Sequence, residues 1–453
     1  MDILYNFVIS VLQSLAFLLA PFHPKLKKWK SGQEGVFNSI SDFGFLISDS
    51  QLTTHNSKLT THNSKKTIWF HAASLGEFEQ GRPVIEAFRR VRPDWKIVLT
   101  FFSPSGYEIR KDYDQVDLVC YLPTDTKENV NRFLDIIQPD LVCFIKYEFW
   151  YNYLITLKNR NIPTFLISAI FRPNQLFFNK WLSGFHRKML FCFDTIFVQN
   201  TESKNLLELV GYQNVVISGD TRLDRVIDIS KSVKKIPEIE QFKADLPLLV
   251  IGSAWPDDME VLIPFINNFK KPLKIIIAPH EIDSKQIDKW RSLLKVDSSL
   301  WREVSQESRV ESGTPPGPES TVDGQKSIVH SPQSKLLFLD TIGLLSSVYQ
   351  YADFAYIGGA FKDGLHNILE PAVFGLPIFF GDKKYDKFQE ATDLLKLGVA
   401  QTISNSEEMT QKFNEIYDNI ELQKEITAKI ESYINQNAGA TGKVIDILLG
   451  STG

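Results

Sequence analysis

From residue 67 onward, short apolar runs alternate with longer stretches in which apolar residues recur every three or four positions. The runs fall at 67–72, 96–102, 118–121, 141–145, 164–168, 195–198 and 215–218. A second series follows at 248–252, 273–278, 336–339, 354–357 and 377–380. Nearly continuous apolar runs of this length predict parallel strands buried on both faces, joined by amphipathic crossover helices. Two such series predict an α/β chain of two doubly wound, Rossmann-like domains. The pattern breaks within 227–246, where K-S-V-K-K-I-P interrupts it. The expected division is therefore 1–30, an N-terminal segment with a basic flank; 31–228, the first domain; and 229–453, the second. The last helical segment, 406–449, is long enough to return to the first domain.

Residues 3–22 carry no charge, and their length matches the ~20 residues of a membrane span. Lys25, Lys27, Lys28 and Lys30 follow directly. The positive-inside tendency then puts the rest of the chain on the cytoplasmic side. An uncleaved anchor or interfacial helix is expected here, a signal peptide or a soluble core helix being the alternatives. Residues 52–65 repeat L-T-T-H-N-S-K twice and predict a polar loop. His55 and His62 recur within it with no carboxylate or cysteine cluster beside them to build a metal site. Residues 303–335 are rich in Ser, Glu, Pro and Gly and predict a second inserted loop.

With 453 residues and 43% hydrophobic content, there is material for two cores. The formal net charge of −4 argues against a nucleic-acid partner, which calls for a basic excess. Cys120, Cys143 and Cys192 form no C-x-x-C and lie in apolar surroundings, so they read as buried packing in a reducing compartment. No metal and no cofactor is implied.

Four polar clusters follow predicted strands, at the carboxyl ends where doubly wound sheets bind ligands. The first is H-A-A-S-L-G-E, from His71 to Glu77. Ser74 and Glu77 have the spacing of a capping box, which needs no catalysis. Glu77 is equally a carboxylate placed to accept a proton, and a helix N-terminus would favour its ionised form. The second is Y-E-F-W-Y-N, containing Glu148 and Trp150, which also reads as a helix start. The third is I-A-P-H-E, with His280. The fourth is G-L-H-N-I-L-E-P, with His366, Asn367 and Glu370. Glu370 could accept from two ribose hydroxyls, and backbone N–H groups around 365–367 could hold a phosphate. Asn367 and Glu370 could equally be a helix cap.

Together with V-Q-N-T-E and S-G-D-T-R-L-D, these motifs resemble the 3-deoxy-D-manno-octulosonic acid (Kdo) transferases over nearly the whole chain outside the two insertions. The resemblance implies the two-domain GT-B glycosyltransferase fold, its domains facing a cleft, with an N-terminal membrane-anchor helix. It implies transfer of Kdo from CMP-Kdo to a lipid A precursor at the cytoplasmic face of the inner membrane. By motif match the catalytic glutamate falls on Glu77, the family's second motif glutamate on Glu148, and nucleotide contacts on His280, His366, Asn367 and Glu370. Arg172 and Arg82, with Lys146, are candidates for the acceptor's phosphates. The family's arginine between Pro and His is missing before His280, and Arg222 or Lys362 is expected to replace it. Two rivals stay open: another GT-B transferase using a UDP- or GDP-sugar, and a membrane-tethered sugar-nucleotide binder without turnover.

Overall fold

The computed structural model describes residues 2–48, 65–179, 183–305 and 334–451. The tandem repeat with His55 and His62, the segment 306–333, and Lys180 and Trp181 lie outside the described residues. The chain forms two compact units, residues 1–224 with 437–453, and residues 225–436.

The first unit opens with two helices, α1 (Asp2–Leu19) and α2 (Pro24–Ser48). Its sheet has seven parallel strands: β1 (Thr67–Ala72), β2 (Lys96–Phe101), β3 (Leu118–Tyr121), β4 (Leu141–Ile145), β5 (Thr164–Ala169), β6 (Thr195–Val198) and β7 (Val215–Ile217). Their order is β3-β2-β1-β4-β5-β6-β7. Strand order therefore reverses between β1 and β4, which pair directly from Ile68↔Leu141 to His71↔Phe144. The helix after β1, α3 (Leu75–Val91), starts at that switch point. Side chains alternate across the sheet, as a strand requires. Trp69 packs on one face with Phe133, Phe144 and Tyr153. Ile68 and Phe70 pack on the other with Phe78, Phe88 and Leu99. Cys120, Cys143 and Cys192 are all buried and free.

The second unit repeats the design with β8 (Leu248–Ala254), β9 (Lys274–Pro279), β10 (Ser298–Leu300), β11 (Leu336–Phe338), β12 (Phe354–Ile357), β13 (Ile378–Gly381) and β14 (Ala400–Ile403). The order is β10-β11-β9-β8-β12-β13-β14, with the reversal between β8 and β12. Helix α4 (Pro256–Asn268) leaves β8, and the short α5 (Leu369–Ala372) lies between β12 and β13.

The segment 406–449 is three helices: Ser406–Tyr417, Ile420–Asn437 and α6 (Ala440–Gly450). Gly439 breaks the last junction at φ +87°, a conformation that favours glycine. The Asp224 carboxylate accepts from the N–H groups of Gly439 (2.6 Å) and Thr441, fixing the start of α6. Val444 and Leu448 of α6 are buried in the first unit's core beside Phe78 and Val84.

Candidate active site

In the first unit, residues from both sides of the switch point converge. His71, at the end of β1, is fully buried. Its Nδ1 meets the Thr100 hydroxyl at 2.8 Å and its Nε2 meets Glu148 Oε2 at 3.0 Å. Thr100 also accepts the Trp69 indole N–H. A carboxylate can only accept, so His71 Nε2 donates to Glu148, while Nδ1 has both the Thr100 hydroxyl and, at 3.2 Å, the Thr100 carbonyl within reach. Glu148 Oε2 takes a second donor, the Trp150 indole N–H, at 2.6 Å. The buried carboxylate is thus held by two aromatic N–H groups, one from each side of the β1/β4 junction.

Glu77 lies in the first turn of α3, where its Oε2 accepts the Ser74 N–H at 3.1 Å and the Ser74 hydroxyl at 3.4 Å. The capping box is therefore formed, and the proposed functional carboxylate is the same group. Its ionisation departs from the expectation of a favoured charge. Burial, then the negative charge of Glu148, push its proton affinity up, and these outweigh His71, Lys146 and the cap bond. The helix terminus is too weak to reverse desolvation beside a second carboxylate.

Two cations stand at this rim. Lys146 follows β4 at φ +71°, and its charge acts on Glu77. Arg172 reaches the Tyr147 hydroxyl at 3.4 Å, and the Tyr147 hydroxyl in turn senses Glu77. Arg82 is not brought to this group. It lies five residues beyond Glu77, roughly 140° around α3. There it pairs with Glu86 at 2.7 Å and stands over the Tyr113 ring. Arg222 forks onto Asp220. Burial alone would raise that carboxyl, but Arg222 pulls it below its ordinary range.

In the second unit the sequence reading missed the central residue, Trp255, at the carboxyl end of β8. Its ring stacks on His280 with centroids 4.1 Å apart and planes at 18°. Its indole N–H donates to His366 Nε2 at 2.9 Å, and the two histidine rings are 4.5 Å apart. His366 therefore accepts at Nε2, and burial followed by His280 pushes its pKa down to about 4. Burial lowers His280 as well. Both imidazoles are then neutral near pH 7. The signal available in the sequence was an aromatic residue directly before Pro256 at a strand's end, a position shared with ordinary helix starts.

Asp258 fixes the surroundings. Fully buried, it accepts from the N–H groups of Trp255 (3.0 Å) and Gly359 (2.9 Å) and from the Tyr356 hydroxyl (2.8 Å). It thereby ties the end of β8 to the end of β12 across the switch. Gly359 has φ +95°, and a Cβ there would strike the Gly364 carbonyl and His366. Asn367 Oδ1 accepts the Leu369 N–H, and its amide donates to Glu370 at 3.1 Å, so both residues brace α5. Of the N–H groups expected to take a phosphate, Leu365 donates to the Lys384 carbonyl and His366 to the Gly358 carbonyl. Closing the 358–366 loop consumes those donors.

Two solved structures share this architecture. UDP-GlcNAc 2-epimerase from Neisseria meningitidis has a TM-score of 0.57 at 14% identity, covering 85% of this chain and all of that one. MurG of Acinetobacter baumannii has a TM-score of 0.53 at 14% identity, covering 85% and 99%. The two seven-stranded parallel sheets are those of the GT-B fold. In sequence, residues 50–225 match the family described as 3-deoxy-D-manno-octulosonic-acid transferase (kdotransferase). The 3-deoxy-D-manno-octulosonic acid transferase of Chlamydophila psittaci is 26% identical over 339 residues, 73% of each chain. That of Aquifex aeolicus is 24% identical over 370 residues, 81% of this chain and 89% of its own. The chain is thus a glycosyltransferase. In sequence it is similar to the Kdo transferase family, whose chemistry serves lipopolysaccharide biosynthesis.

Proposed function

We propose that the chain transfers Kdo from CMP-Kdo to a sugar hydroxyl of the lipid A precursor lipid IVA, with inversion, at the cytoplasmic face of the inner membrane. The observation that carries this is Glu77: a half-buried carboxylate of raised proton affinity, fixed by Ser74 at the end of β1 beside Glu148. A base must hold the proton it takes, and such a carboxylate does so better than an exposed one. Glu77 removes the hydroxyl proton. The freed oxygen attacks the anomeric carbon, the bond from that carbon to the CMP phosphate breaks, and CMP departs with the bonding pair. Glu148 and His71 fix the electrostatics around the base. Arg172 serves the acceptor's phosphates. Trp255, His280, His366, Asn367 and Glu370 form the nucleotide's side, with Glu370 for the ribose hydroxyls. Lys362, exposed three residues after Gly359, is the nearer replacement for the missing arginine, since Arg222 is forked onto Asp220. The apolar α1, long enough to cross a membrane, and the lysines after it keep the chain at the membrane that holds the acceptor.

The test is incubation of the purified full chain with CMP-Kdo and a tetra-acylated lipid A precursor, read by mass spectrometry. Kdo-modified lipid is expected. In Glu77→Gln the turnover should drop by ~10²–10⁴, with the circular dichroism spectrum kept. Folded wild-type protein that yields no Kdo-lipid would sink the proposal.

A further inference from the structure

Helix α1 is not free of the first unit. Tyr5, Ile9, Gln13, Ala16 and Ala20 lie at helical spacing on one stripe and are shielded to differing degrees, while most of the remaining surface is exposed. The shielded stripe is seated at several points. The Tyr5 hydroxyl donates to Asp125 Oδ2 at 2.6 Å, and Asn6 Oδ1 accepts from the Asn152 amide at 2.9 Å. The Tyr5 ring meets Tyr151 and Phe185, and further along Phe17 meets Trp29 edge-on. Asp125 is fully buried and also accepts the N–H groups of Asn152 and Tyr153.

The outward side is apolar along its length, from Ile3 (89% exposed) through Phe7 and Val11 to Phe22 (84%). Ser10 and Ser14 lie on that side, and their hydroxyls bond back to the carbonyls of Asn6 and Ser10 at 2.9 and 2.8 Å. Satisfied this way, they enter a lipid environment at little penalty.

We infer that α1 lies in the plane of an anionic bilayer, clipped to the first unit by Tyr5–Asp125, rather than crossing it. Lipid surrounds a spanning helix on every side. Crossing would draw Tyr5 off Asp125, leave a buried carboxylate short of a donor, and carry Asn6 and Gln13 into hydrocarbon. In plane, the apolar side sinks ~5–10 Å and the packed stripe keeps its partners. The occupant is an anionic lipid surface because Lys25, Lys27 and Lys28 follow immediately and line the same end of α2. This rests on the membrane association proposed above.

Single cysteines at Phe7, Val11, Leu15 and Leu18 of the full chain accept nitroxide labels, since the three native thiols are buried. Bound to vesicles of phosphatidylethanolamine and phosphatidylglycerol, the four labels are expected at one shallow depth. A label at Val11 at the bilayer centre, with Phe7 and Leu18 shallower toward opposite leaflets, would overturn the in-plane geometry. Failure to bind vesicles while Kdo transfer persists in detergent would overturn it too, leaving the transferase reading intact. Tyr5→Phe keeps the ring and removes the donor. Amide exchange across α1 should then rise about tenfold with vesicle binding retained, and unchanged exchange would remove the clip.

Discussion

The Glu77 carboxylate closes the first turn of α3 and stands in the field of Glu148, and these two settings pull its proton affinity in opposite directions. Burial and Glu148 prevail. The acid limb of kcat/KM should therefore lie above ~4.3, the ordinary glutamate range. In Glu148→Gln one negative charge is gone, so the limb should move to lower pH, whatever happens to the plateau. A limb that stays in place would show that another group titrates. His366 runs the other way. Its folded pKa of about 4 lies below the 6.5 of an ordinary histidine, so the folded state binds fewer protons between those limits. Its contribution to stability is complete above 6.5 and is lost as pH falls toward 4. Thermal melts of His366→Gln should show a smaller drop on acidification across that window than the wild type. Trp255→Phe keeps a ring against His280 but removes the donor to His366 Nε2. Nucleotide affinity should fall about 3–10-fold, the worth of one modest hydrogen bond, as titration calorimetry with CMP can check.

At the scale of elements, every central strand was legible because a parallel strand covered on both faces must be apolar throughout. β1 is buried at all six positions and β4 at all five. The two strands that escaped, β10 and β14, are the outer strands of the second sheet. Ser298-Ser-Leu300 and Ala400-Gln-Thr-Ile403 carry polar residues because an edge has fewer faces to cover. The motifs marked both switch points, yet spacing could not disclose which partners close there. That Glu148 binds His71 from 77 residues away depends on β4 lying beside β1. Asp258 was unreadable for the same reason, since its ties to Tyr356 and Gly359 exist only once β12 lies against β8. Ser74→Ala removes the hydroxyl from the cap of α3 and should cost ~1 kcal/mol, measurable by urea unfolding. A loss of activity larger than the loss of stability would separate the placement of Glu77 from the capping of the helix.

For the whole molecule, the chain's two ends belong to one unit. Residues 437–453 complete the unit begun by residues 1–224. Leu448 is fully buried in its core, so Leu448→Ala should cost ~2–5 kcal/mol. If the units unfold in separate transitions, the loss should fall on the first one only, which calorimetry would resolve. Asp224→Asn should loosen the same closure by weakening the hold on the N–H groups of Gly439 and Thr441.

The closure also sets an order of events during synthesis. A ribosome makes the first sheet early, but α6 emerges only after the whole of the second unit. Until α6 emerges, the side of the sheet that receives Val444 and Leu448 stays open beside Phe78 and Val84. The second unit can finish while the first still waits. A stop codon that removes α6 would therefore damage the unit that the second one separates from it in sequence, the one that carries Glu77.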